Sequence, residues 1–233
     1  MTSDGTDRAG ARRRMVEHQL AARGIRSAAV LAAMECVRRE RYVPPALAEH
    51  AYDDGPLPIG ENQTISQPYV VAFMLEALDL QGGERVLEVG TGSGYVAAVL
   101  AEIAAEVFTL ERLEVLAASA AERLAREGYA HVRVSVGDGT TGWPEAAPFD
   151  AIVVSAGAPS VPPALRAQLA PGGRLVIPVG SSTELQELKR ITRVGPNDWR
   201  EEDLGAVRFV PLIGAEGWRA VPRPPSGSPP SSR

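Results

Sequence analysis

The sequence predicts an α/β fold with a mostly parallel sheet, entered from a set of N-terminal helices. Three observations predict it. Apolar Val86, Leu87 and Val89 enclose Glu88 and run into Gly90, Gly92 and Gly94, with an Ala/Val-rich segment beyond; this pattern is a buried strand, a tight loop and the start of a helix. From residue 84 onward, short apolar runs alternate with helical patterns, the signature of strand–helix–strand units. The 233 residues are 45% apolar and 23% charged, material for one generous domain with a substantial core.

Each element has its own signal. Residues 1–7 are small and polar, a frayed end. Residues 8–24 form a helix with Met15, Val16, Leu20 and Ala21 on one side and Gly24 as its stop. A second helix starts at Ser27, an N-cap, and turns Val30, Leu31, Met34 and Val37 inward; Cys36 in that pattern is a small core residue. Residues 45–51 make a short helical turn, and 53–60 are a loop punctuated by glycine and proline. Ser66, ahead of Pro68, opens a helix that buries Val70, Phe73, Met74 and Ala77.

The first sheet strands are expected at 85–89, 107–111, 132–136, 149–155 and 174–179, with helices at 96–105, 113–127 and 162–169. Residues 185–194 repeat apolar positions every three, as a helix would. The turn at Gly195, Pro196, Asn197 and Asp198 favours a hairpin arm instead. A strand at 206–212 closes a mixed sheet, parallel first and antiparallel last. The Pro/Ser-rich tail at 219–233 lacks apolar periodicity and is expected to be disordered.

The glycine loop discriminates between ligands. A dinucleotide fingerprint, G-x-G-x-x-G counted from Gly90, needs glycine at 95, where Tyr95 stands. Glu88 would repel a pyrophosphate, and would attract a ligand carrying an amino group and a sulfonium. The loop Gly90, Thr91, Gly92, Ser93, Gly94 is therefore read as a site for S-adenosyl-L-methionine, against the plainer alternative of a βα turn with a buried glutamate. Glu111 closes the next strand, where a carboxylate can accept from two ribose hydroxyls. Asp138, between Gly137 and Gly139, can accept from an adenine amino group, and the glycines leave room for the flat ring. Strand ends of an open parallel sheet share one crevice, so these sites converge. Asn62, Gln63, Thr64, Ser66 and Gln67 form a polar loop placed to lie across its mouth. Ser66 is either an active-site hydroxyl or the cap of the following helix.

Other chemistries are poorly supported. The net charge is −5 without a basic block, against nucleic-acid binding. No apolar run approaches membrane-spanning length, and no leader is evident, so a cytoplasmic protein is expected, here as a monomer. His18 and His50 have no companion ligands, and Asp53 with Asp54 has no supporting oxygens, so no metal is expected. Ser93 lacks the flanking glycines of a hydrolase elbow. After the fourth strand stand Ser155, Ala156, Gly157, Ala158 and Pro159, small residues rather than the Asp/Asn-Pro-Pro-aromatic run of amino-group methylases.

With those residues in view, the chain resembles the protein-L-isoaspartate O-methyltransferase family. The carriers are Thr64 to Tyr69, Val86 to Tyr95, Glu111 with Arg112, Gly137 to Gly139, Phe149 to Pro159, Pro171 to Gly180 and Val207 to Leu212, in family order. The resemblance implies a doubly wound, mostly parallel seven-stranded sheet and a domain over 8–218. Within it, 8–83 would supply the helices and substrate loop, and 84–218 the cofactor sheet. It implies Ser66 as the active-site serine. Thr64, Ile65, Val210 and Leu212 would contact the substrate. The cofactor would lie against Ile65, Gln67, Pro68, Glu88, the loop 90–94, Glu111, Arg112, Asp138 and Gly139. It implies methyl transfer to the free carboxyl of isoaspartyl residues in damaged proteins. Gly157 departs from the alanine expected there. Same-fold esterification of an ordinary aspartate, or binding of the cofactor without catalysis, are the rival readings.

Overall fold

The computed structural model describes residues 3–219, with side chains from residue 8 onward. Except for Arg219, the tail expected at 219–233 lies outside the described residues. Helix α1 (Ser3–Arg14) begins inside the segment expected to fray, since extending a nucleated helix costs little per residue. It passes into a wide π turn, Met15–Leu20, and a 3-10 turn, Ala21–Arg23, before Gly24 ends it at φ +104°. In α2 (Ala28–Cys36) the Ser27 hydroxyl accepts from the Val30 amide at 3.3 Å, as a cap should. Val30, Ala33, Met34 and Val37 are buried, but Cys36 is exposed. Two residues past Met34 is about 200° round the helix, which turns Cys36 away from the core it was expected to join.

Residues 53–60 are not all loop. β1 (Leu57–Gly60) and β2 (Gln63–Ile65) pair antiparallel across Glu61 and Asn62, at φ +50° and +57°. Successive left-handed residues match the twist of a tight hairpin, and asparagine tolerates that conformation. Helix α3 (Pro68–Leu78) buries Val71, Ala72, Met74, Leu75, Ala77 and Leu78. Its inner face is thus rotated from the one expected, leaving Val70 and Phe73 half-buried.

The main sheet takes the order β5-β4-β3-β6-β7-β8-β9. Its strands are β3 (Arg85–Val89), β4 (Glu106–Glu111), β5 (Arg133–Val136), β6 (Phe149–Val154), β7 (Leu169–Val179), β8 (Gln186–Gly195) and β9 (Asp198–Val207). The first five are parallel, and β8 and β9 return antiparallel. Helices α4 (Tyr95–Ala101), α5 (Glu114–Arg126) and α6 (Pro163–Ala167) connect the parallel strands. The last strand corrects the expected 206–212. It is an edge strand whose Glu201, Glu202 and Asp203 pair with Lys189 and Arg190 of β8, and such charge hides its periodicity. Residues beyond Val207 leave the ladder, and Pro211 forms an isolated bridge with Gly157, just past β6.

Side chains alternate across the sheet, as a period of two requires. Val86, Val107, Val153 and Val176 pack beneath the N-terminal helices, α3 and α4. Leu87, Val89, Phe108, Ile152 and Leu175 pack on the other face with Leu165 of α6 and Leu212. Both faces are covered, and the strand order reverses beside β3, which opens a crevice at the strands' C-terminal ends. Among the described residues, no helix is long and apolar enough to cross a membrane.

Candidate active site

That crevice holds a concave pocket at the C-terminal ends of β3, β4 and β6. Its walls come from Gln63 to Ser66 of the hairpin, Glu88 to Ser93, Tyr95, Glu111, Arg112, Gly139, Ser155, and Val210 to Ile213. Gly90 and Gly92, at φ +95° and +53°, present bare main chain to it. Gly139 is more restricted still: a Cβ there would lie 2.3 Å from Val89 Cγ1. Gly94 is brought elsewhere. It caps α4 and faces Leu124 and Ala120 of α5, at 3.3 and 3.4 Å from its would-be Cβ, so it serves helix packing rather than the wall.

Glu88 is 1% exposed. The strand register sets it opposite Thr109, whose hydroxyl donates to Glu88 Oε2 at 2.6 Å. Thr91 and Thr109 hydroxyls are also 2.6 Å apart. Thr109 has one proton and spends it on Glu88, so Thr91 is the donor in that second bond. Glu88 Oε1 has no partner. Burial drives the carboxyl up to about 8, opposed by the Thr109 bond and reinforced by Glu111. An orphaned buried acceptor in the wall of a cavity fits a cationic donor.

Glu111 is committed in part. Its Oε2 accepts the Gly92 amide and its Oε1 the Leu113 amide, both at 3.0 Å. Each oxygen keeps a lone pair for a ligand while bracing the glycine loop. Arg112 stands exposed at the rim.

Ser66 does not cap α3: the cap is Gln67, without a side-chain bond to the first turn. Ser66 is half-buried in the cavity wall with Thr64 and Ile65, and its carbonyl accepts from Arg39 Nη2 at 2.8 Å. Arg39 is fully buried, donates through Nε to the Ala51 carbonyl at 2.7 Å, and lies 4.9 Å from the Tyr95 ring centroid. No motif singled it out: it stands in a charged run, Arg38, Arg39, Glu40 and Arg41, and arginine is rarely fully buried. Gln67 lies outside the cavity and bonds Asp54 Oδ1 at 2.8 Å, and Pro68 is buried away from the wall.

Asp138 is not in the wall either. Its Oδ1 accepts from the Thr140 amide at 2.9 Å and hydroxyl at 2.7 Å, and its Oδ2 from the Ala215 amide at 2.7 Å. It thereby anchors the C-terminal segment whose Val210, Pro211, Leu212 and Ile213 roof the cavity. Gly157 holds the same segment, donating to Val210 and accepting from Leu212, each at 2.8 Å. An alanine Cβ there would come 2.9 Å from Gln186 Cδ, so glycine at 157 accompanies this glutamine. Gln63 of the polar loop is in the wall, as are Ser155 and Pro211, which lie in marked stretches without an assigned contact, and Ile213, which lies just past the last of them.

A second hollow, a groove running past Val70, Leu185 and Phe209, shares Thr64, Ser66, Ser155, Val210 and Pro211 with the first. The two spaces thus meet at Ser66. Among the described residues, no group of three or more His, Cys, Asp or Glu could hold a metal ion.

Comparison with known proteins agrees with this geometry. The family described as protein-L-isoaspartate (D-aspartate) O-methyltransferase matches residues 11–217. Protein-L-isoaspartate O-methyltransferase 1 of Rhodopseudomonas palustris (strain HaA2) is 56% identical, over 100% of this chain and 95% of that protein. Protein-L-isoaspartate O-methyltransferase 2 of Pelobacter propionicus is 60% identical over 88% and 91%. A solved protein-L-isoaspartate O-methyltransferase superposes with TM-score 0.79 at 28% identity, covering 88% of this chain and 67% of its own. A Plasmodium falciparum structure in complex with S-adenosyl-L-homocysteine gives TM-score 0.76 at 28% identity, covering 87% and 98%. The chain belongs to the protein-L-isoaspartate (D-aspartate) O-methyltransferase family.

Proposed function

We propose that this protein is a repair methyltransferase that esterifies the free carboxyl of L-isoaspartyl residues in damaged proteins and peptides. The observation that carries the reading is the meeting of two spaces at Ser66: a cavity whose wall holds an unpaired acidic oxygen, and a second hollow that shares Thr64, Ser66, Ser155, Val210 and Pro211 with it. Glu88 Oε1 takes the ammonium of S-adenosyl-L-methionine. Glu111 takes the ribose hydroxyls through its free lone pairs, and the adenine lies against the Gly139 segment of the wall. When bound, that cofactor supplies a methyl group on a positively charged sulfur with a good leaving group.

The protein's remaining tasks are orientation and exclusion of water. An aspartyl-type carboxylate is ionised at neutral pH, so it attacks without a general base. Nothing in the wall is placed as one: its titratable groups are Glu88, Tyr95, Glu111 and Arg112. The Ser66 hydroxyl would donate to one carboxylate oxygen and so leave the other free to attack the methyl group that the cofactor would supply. Val210 and Leu212 close the site over the acceptor. We place the enzyme in the cytoplasm, as a monomer; exposed, unpaired Cys36 suits a reducing compartment.

The test is methyl transfer from labelled donor to an isoaspartyl peptide and to its aspartyl twin. Ester formation on the first alone supports the reading. Equal transfer to both makes the protein a general carboxyl methylase, and cofactor binding without transfer to either makes it a non-catalytic binder. Ser66→Ala should lower turnover about 10-fold or more, the worth of a charged hydrogen bond, with cofactor affinity by calorimetry unchanged.

A further inference from the structure

The open groove is lined chiefly by apolar or uncharged groups, Val70, Leu185, Val207 and Phe209 among them, and Leu185 is 62% exposed at its edge. One lining residue carries charge, Arg208. In a molecule of net charge −5, the groove that meets the methyl-transfer site therefore carries a lone cation. Arg208 is exposed and forms no ion pair or hydrogen bond among the described residues. Glu187, which faces Ala206 across the β8–β9 ladder, makes no salt bridge to Arg208 and does not line the groove. Arg208 precedes by two residues Val210, which belongs to both spaces. Two residues of chain span about 7 Å at most, so the Arg208 backbone lies within one or two peptide residues of the wall that Val210 gives to both spaces.

We propose that Arg208 is a specificity-determining residue that favours isoaspartyl sites with an acidic side chain within two residues, in a peptide lying extended along the groove. This rests on the methyltransferase reading above. The apolar stretch accepts flanking residues of any sequence, whereas an unpaired guanidinium gains only from a carboxylate, to which it can present a planar fork of donors. A lysine at the same distance is repelled.

The test is a set of isoaspartyl peptides with Glu, Gln or Lys placed one or two residues to either side, compared by kcat/KM with labelled donor. The wild-type protein should favour Glu over Gln by about two- to five-fold at one or more positions, the range of an exposed ion pair. The preference should fade at about 0.5 M salt, where screening is short-ranged. Arg208→Glu should reverse it toward Lys, a reversal that loss of folding cannot imitate. A wild-type profile indifferent to neighbouring charge overturns the proposal and leaves the methyltransferase reading standing, as does an unchanged Glu preference in Arg208→Glu. Failure to methylate any of the peptides overturns both.

Discussion

A carboxylic acid sealed from water with a single donor keeps its proton longer than one in solution, and Glu88 is such a group. Its ordinary value of 4.5 rises to about 8 on folding, so the native state holds a proton that the unfolded chain releases between those limits. Stability contributed by this site is therefore greatest in acid and falls as pH rises through that window. A cationic ligand reverses the preference, because an ammonium beside Oε1 favours the anion. Cofactor binding at pH 7 should then release up to about one proton per site, read by calorimetry in buffers of different ionisation heat. Glu88→Gln should abolish the release and weaken binding about 10- to 100-fold, while flattening the fall in stability between about pH 4.5 and 8. Unchanged proton release in the variant would place the ammonium elsewhere. The carboxylate was legible in the sequence because a charge inside an apolar strand requires a reason. Its unpaired oxygen and the Thr91–Thr109 relay depend on register between β3 and β4, which one strand's sequence does not carry.

At the scale of elements, the C-terminal segment beyond β9 is a strap tied by Gly157, Gln186 and Asp138. Burial raises the Asp138 carboxyl, but bonds from the Thr140 hydroxyl and from the Ala215 and Thr140 amides outweigh it and hold the group below its ordinary 3.8. A depressed carboxylate contributes stability that is present above that value and lost as pH falls through its folded value. Asp138→Ala should cost about 1–2 kcal/mol, the worth of a lost cap, and speed hydrogen exchange at residues 214–216. It should also weaken cofactor binding, since Ile213 and Leu212 of the same strap roof the cavity. Exchange as slow as in the wild type would mean that Trp218 and Gly157 hold the strap unaided. The sequence marked Asp138 as special, yet its partner lies 77 positions away in a stretch that reads as an ordinary end. The β1–β2 hairpin and β9 were hidden for related reasons: proline and glycine obscure the first, and edge charge the second. The parallel strands were legible because burial on both faces writes them as continuous apolar runs.

For the whole molecule, Arg39 joins parts that folding must bring together. Its guanidinium reaches carbonyls at Ala51 and Ser66 and lies over Tyr95, linking the N-terminal helices, the Ser66 loop and the cofactor wall. Burial lowers its pKa, and Nη1 has no partner, so the charge is held at some cost. That cost is offset only while the two carbonyls and the ring keep their places. Arg39→Ala would remove two charge-assisted bonds, worth about 1.5–3 kcal/mol each, and leave a void beneath Ser66. Urea unfolding should show a loss of at least about 3 kcal/mol. Arg39→Lys should recover less than half of it, because one compact ammonium lacks the guanidinium's planar fork of donors. A lysine variant as stable as the wild type would mean that charge alone suffices. An alanine variant with an unmoved midpoint would mean that the N-terminal helices dock on the sheet through apolar contacts, with Arg39 a passenger between them.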